Sequence, residues 1–140
     1  MREGLFDHDG LDVYQAARQF KRQLRELLPC IPRGNSQLVD QLKRAARSIT
    51  NNLAEGSGRW TPADKIHYFH IVRGSATECA AILDECVDYR FLTEAQARPA
   101  VETLSRIVAM VLRMILVLEQ RPPSARSRGT TRHGPPEARS

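Results

Sequence analysis

Cysteine and aromatic residues are scarce in this chain of 140 residues, which has three Cys, one Trp, three Tyr and four Phe. The cysteines, Cys30, Cys79 and Cys86, form no CxxC pair, and an odd count without an export signal argues against a disulfide framework. Cys79 and Cys86 fall seven apart on one helical face among apolar neighbours and read as small core residues. No uncharged apolar run reaches the roughly 18 residues of a membrane span. The most apolar stretch, Ile107 to Leu118, is interrupted by Arg113. The first seven residues lack the charged-then-apolar design of a signal peptide, so no membrane partner and a cytoplasmic protein are expected.

Catalytic constellations are missing too. Ser57 sits in Glu55-Gly56-Ser57-Gly58, but a nucleophile elbow needs a strand before the serine, and here a helical pattern precedes it. The same glycines lack the length and the Lys of a phosphate-cradling loop. His67 and His70, three apart, could share a metal with Asp64 or Glu78, and Asp84, Glu85 and Asp88 cluster further on. A metal site needs more convergent ligands, and a di-metal bundle needs Glu-x-x-His pairs on two helices, which are absent. We therefore expect no enzyme, no metal and no cofactor.

What the chain does have is helical periodicity. Val13, Ala16, Ala17, Phe20, Leu24 and Leu27 form one stripe, predicting a helix over 11–28 that Pro29 and Pro32 end. Leu38, Leu42, Ala45, Ala46, Ile49 and Leu53 predict a second over 36–55, capped by Asn35 or Ser36, with Ser48, Asn52 and Glu55 as a polar edge. Gly56 then stands where a left-handed residue closes a helix. Thr61-Pro62-Ala63-Asp64 restarts a third, over 62–89, with Thr61 as cap. Thr93 and Gln96 make a capping box for the last helix, which Pro99 should kink or restart. The expected organisation is a flexible N-terminus at 1–10, a bundle at 11–121 and a disordered basic tail at 122–140, which has no large apolar residue.

Charge is unevenly spread. Residues 11–59 hold nine Lys/Arg against four acids, net +5, whereas residues 60–121 hold seven against eight. Arg18, Lys21, Arg22 and Arg25 share about 100° of arc on the first helix, and Lys43, Arg44 and Arg47 lie opposite the apolar stripe of the second. If these helices are antiparallel neighbours, the seven cations make one surface able to contact phosphates of RNA or DNA; an ordinary solvated face accounts for the same residues. No aromatic residue interleaves this surface, so base stacking is not expected.

Two features point to self-association. Gly74 costs about 1 kcal/mol relative to Ala inside a helix and lies almost opposite the main stripe of the third helix. Together with Tyr68, Ile71, Ser75, Glu78 and Ile82 it marks a second packing face, most simply toward another subunit. The last helix is apolar round most of its circumference from Ala100 to Leu118. In a hairpin turning near residue 58, residue r lies beside roughly residue 117 − r, which puts Glu78 within a turn of Lys43 and leaves Arg73 needing a carboxylate from elsewhere.

The stretch from Ile49 to Arg59, with Asn52, Glu55, Gly56, Gly58 and Arg59, followed by Arg73-Gly74-Ser75 and Glu78, resembles the four helix bundle protein family. That family includes proteins encoded in intervening sequences of bacterial large-subunit ribosomal RNA genes and the accessory variability proteins of diversity-generating retroelements. The resemblance covers residues 11–121. It implies an all-α, antiparallel up-down-up-down four-helix bundle that assembles as a homo-oligomer, a ring-like pentamer. For function it implies either a nucleic-acid-binding or nucleoprotein-scaffolding protein, or an adaptor that docks a reverse transcriptase.

Overall fold

Apolar residues at three- and four-residue steps decide where the chain coils, and the resulting helices need one another to cover those stripes. The computed structural model describes residues 6–120. The 122–140 tail and the first five residues of the 1–10 segment lie outside the described residues; residues 6–10 form turns, with the Asp9 amide donating to the Phe6 carbonyl at 3.0 Å.

Among the described residues the fold is all-helical, with four α-helices and no strand. They are α1 (Asp12–Leu27), α2 (Ser36–Ser57), α3 (Pro62–Asp88) and α4 (Glu94–Glu119), with a short 3-10 turn, Leu28–Cys30, after α1. The α2–α3 contact is the most extensive, followed by α3–α4 and α1–α4; α1 meets α2 least. Phe20, Leu42, Ile49, Leu53, Leu83, Leu104 and Ile107 are fully buried between them. Each such side chain contributes about 1.5–3 kcal/mol by leaving water.

The helix ends follow sequence chemistry in part. Thr61 Oγ1 accepts from the Asp64 amide at 3.1 Å, with Pro62 in the first turn. Thr93 and Gln96 complete a reciprocal capping box at 3.0 and 2.8 Å. Asn35 occupies the N-cap of α2 but donates its side chain to the Pro32 carbonyl, holding the turn rather than capping. Pro99 does not restart α4, which continues through it. Its carbonyl accepts from Thr103 Oγ1 at 3.0 Å and from Gln23 Nε2 of α1 at 3.4 Å.

The assignment of Gly56 to a left-handed closing position is corrected by the structure. Gly56 lies inside α2, and the helix ends at Gly58 with φ −87°. A Cβ on Gly56 would stand 2.7 Å from Phe69 Cε1 and 3.0 Å from Tyr68 Cβ. The glycine is there because the Phe69 ring and Tyr68 Cβ of α3 occupy the space that a side chain would take. The left-handed closing residue of this fold is Arg90, φ 64°, after α3. Its amide donates to the Val87 carbonyl and that of Phe91 to the Cys86 carbonyl, both as in a Schellman motif, which arginine fills in place of glycine.

The hairpin register differs as well. Gly56 faces Phe69, and Ser48 Oγ accepts from Ser75 Oγ at 2.8 Å, so facing residues sum to about 124 rather than 117. The reason is the longer α2 and the corner that follows it, which move the turning point toward residue 62. Ser75 and Ile82, expected on an outward face, are buried within this single chain. Asn52 Nδ2 donates to the Ser48 carbonyl at 2.8 Å and to Ser48 Oγ at 3.1 Å, which joins Asn52, Ser48 and Ser75 in one polar seam between α2 and α3.

Cys79 and Cys86 are buried and Cys30 is exposed. Burial, with Glu78 adjacent, pushes the Cys79 thiol up from its ordinary 9.0 to about 12. Burial and Glu85 move Cys86 in the same direction. Folded-state values above the unfolded ones mean that this stability is fully present below about pH 9 and is lost as pH rises from there toward 12. At pH 8 a thiol reagent should label one cysteine rapidly in the native protein and three after denaturation. Rapid native labelling of more than one would contradict the packing described.

Candidate nucleic-acid interface

On α1, Tyr14, Arg18, Lys21 and Arg25 follow one another at steps of four, three and four, so they project along one line beside the buried stripe. Because α1 leans on α4 more than on α2, that line overlooks an open groove of about 500 Å³. Its walls are Tyr14, Arg18, Lys21, Arg22 and Arg25 from α1 and Thr50, Asn51 and Ala54 from α2. The α2 wall is low because its residues are small. Among the described residues no carboxylate lines the groove.

Lys21 is positioned by its Nζ donating to Thr50 Oγ1 at 3.5 Å, while Thr50 Oγ1 donates to the Arg47 carbonyl at 3.1 Å. Arg18 is partly buried; Lys21, Arg22 and Arg25 are exposed, and Arg25 Nε lies 3.6 Å from Glu26. Four of the seven expected cations therefore meet in one place. Lys43, Arg44 and Arg47 are exposed on α2 but outside the groove lining. Arg47 lies one turn and Lys43 two turns from Thr50 on the same side, whereas Arg44 is turned about 120° from Thr50. The expectation that no aromatic interleaves the surface is corrected by Tyr14, four residues before Arg18. It was legible in that spacing and was hidden by its resemblance to a core position, since the ring also packs on the core.

Between α3 and α4 the charge is reversed. Asp84, Asp88, Glu94 and Glu102, with Arg98, line a groove of about 470 Å³. A polyanion approaching this molecule is repelled from one groove and attracted to the other.

The corner residues are structural in their contacts. Arg59 Nη2 donates to Glu55 Oε2 at 2.6 Å and to the Tyr68 hydroxyl at 2.7 Å, with its guanidinium 4.8 Å from the Tyr68 ring centroid. Lys65 Nζ donates to the carbonyls of Ser57 (3.0 Å) and Gly56 (3.4 Å), placing a cation on the negative end of α2. Glu55, Gly56, Gly58 and Arg59 thus fix the α2–α3 crossing.

Ile71, Arg73, Gly74 and Glu78 are exposed on α3, and Tyr68 is partly buried. Among the described residues neither Arg73 nor Glu78 has an ion pair. The Glu78–Lys43 pairing is not made among the described residues: the observed register sets Glu78 level with Ala46, and both charged side chains stay exposed. A Cβ at Gly74 would meet nothing within 4 Å. Among the described residues no group of three or more His, Cys, Asp or Glu converges as metal ligands would, and His67 and His70 are both exposed. No described helix is long and apolar enough to cross a membrane.

No curated protein matches the chain. The family model of the 23S rRNA-intervening sequence protein matches residues 9–113, from the turn before α1 through most of α4. With its four helices and the corner motif in place over that span, the chain belongs to the 23S rRNA-intervening sequence protein family.

Proposed function

We propose that this protein is a non-enzymatic, self-associating scaffold that binds RNA through phosphate contacts in the α1–α2 groove, built as an up-down-up-down bundle. The observation that carries this reading is the convergence of Arg18, Lys21, Arg22 and Arg25 on a groove that no carboxylate lines among the described residues. Such contacts give affinity with little sequence information and depend steeply on salt. The family's name, which refers to 23S rRNA, favours RNA over DNA as the polyanion.

Support for the antiparallel arrangement comes from paired positions: Gly56 with Phe69 and Ser48 with Ser75 in α2–α3, and Gln23 with Pro99 and Cys30 with Gln96 where α1 and the turn after it run along α4. Support for self-association comes from apolar residues left in water. Leu116 and Val117 on α4 are 52% and 63% exposed, and Ile71 stands exposed one turn from the open Gly74 on α3. A pentamer is the assembly that the family resemblance implies.

Size-exclusion chromatography with light scattering, with and without structured RNA at two salt concentrations, tests both parts. We expect an oligomeric mass that rises with RNA at low salt and returns to the RNA-free value at high salt. A monomer indifferent to RNA would remove the proposal.

A further inference from the structure

The two walls of the basic groove differ in kind. On α1, Arg18, Lys21, Arg22 and Arg25 offer charged donors, whereas the α2 wall of Thr50, Asn51 and Ala54 is uncharged. Phosphate accounts for the first wall and leaves the second without a task. Beside each phosphate a nucleic-acid strand carries an uncharged sugar.

Of the three α2 residues, Asn51 is the one equipped to hydrogen-bond a sugar. Ala54 has no polar side chain. Thr50 is buried and its hydroxyl is committed: it donates to the Arg47 carbonyl at 3.1 Å and accepts from Lys21 Nζ at 3.5 Å. Asn51 is exposed, and its carboxamide has no hydrogen-bond partner among the described residues. It follows Thr50 directly, so the Lys21–Thr50 contact sets it across the groove from the cations. A carboxamide both donates and accepts, which are the two capacities of a hydroxyl group. Ala54, three residues on and lining the same wall, leaves room for a sugar beside it.

We propose that Asn51 reads the ribose 2′-hydroxyl of a strand whose phosphates lie on Arg18, Lys21, Arg22 and Arg25, so that the groove selects RNA over DNA. This rests on the phosphate-binding reading above and gives it a chemical basis for telling the two polyanions apart. Phosphate contacts do not distinguish them, because both backbones carry the same phosphates; the 2′-hydroxyl does. One neutral hydrogen bond of this kind is worth roughly three- to tenfold in affinity.

The test uses fluorescence anisotropy at one fixed low salt concentration, since phosphate affinity moves with salt. It compares strands of one length and base sequence: oligouridylate RNA, its 2′-deoxy counterpart and its 2′-fluoro counterpart. The fluoro strand keeps the sugar pucker of RNA but has no 2′ proton to donate. Wild type should bind the RNA roughly three- to tenfold more tightly than either analogue. Asn51→Ala, at an exposed position where alanine is the better helix former, should bring the RNA down to the level of the analogues and leave their affinities unchanged. Tyr14→Phe, which removes the phenol hydroxyl from the α1 wall, should keep the preference. Equal wild-type affinity for RNA and deoxy strands, a fluoro strand bound as tightly as RNA, or a preference that survives Asn51→Ala each overturns the role of Asn51 and leaves the phosphate reading standing. Binding to none of the three strands overturns both.

Discussion

Replacing both Arg22 and Arg25 with glutamate should weaken RNA binding by roughly 100- to 1,000-fold at low salt without changing the thermal melt. Both residues line the groove and both are exposed. A phosphate contact at ~4 Å in water is worth about 1 kcal/mol, and a carboxylate in the same place adds a repulsion of similar size. Two reversals therefore sum to about 4 kcal/mol before salt screening, nearly three decades in affinity. The salt dependence should become shallower by about two ion equivalents, one for each lost contact. Exposed substitutions of this kind stay within about 0.5 kcal/mol in stability, so a circular-dichroism melt serves as the control. Arg44→Glu, outside the lining, should cost much less. Unchanged affinity in the double variant with a normal melt would place RNA binding somewhere other than this groove.

A second large effect is expected from a single methyl group. Gly56→Ala should lower stability by about 1–2 kcal/mol, although alanine is the better helix former by about 1 kcal/mol. The new Cβ would lie 2.7 Å from Phe69 Cε1 and 3.0 Å from Tyr68 Cβ. The Phe69 ring borders an apolar pocket of about 330 Å³ and can give part of the way, whereas Tyr68 Cβ is fixed to the α3 backbone. Relief requires α3 to move off α2, which would loosen the Ser48–Ser75 contact farther along the same crossing. Gly74→Ala is the matched comparison. Its Cβ meets nothing within 4 Å, so within one chain it should gain up to about 1 kcal/mol by helix propensity. If Gly74 instead approaches a second subunit, the same change should lower the oligomeric mass. Urea unfolding of the two variants separates these outcomes, and a Gly56→Ala protein as stable as wild type would refute the close crossing.

The stripes Val13–Leu27, Leu42–Leu53 and Phe69–Cys86 were legible in sequence because burial on one face imposes a period that no neighbour can alter. Thr61 and the Thr93–Gln96 box were legible because caps are satisfied within four residues. The cationic line on α1 was legible for the same local reason. The role of Gly56 was not, since a glycine near a helix end serves equally for a left-handed turn and for a close crossing, and only the position of Phe69 distinguishes them. Register was equally hidden: two more residues of α2 and a four-residue corner shift every facing pair. That shift brings Ser75 onto Ser48.

By itself, then, the sequence determined the helices, the N-terminal caps of α3 and α4 and the sign of the charge on each helix, because those properties depend on neighbours within a turn or two. The tertiary structure alone decided that four of seven cations share a groove and that Tyr14 joins them. Those outcomes depend on how far α1 stands from α2 and how the chain enters α1, distances set by the packing of all four helices together.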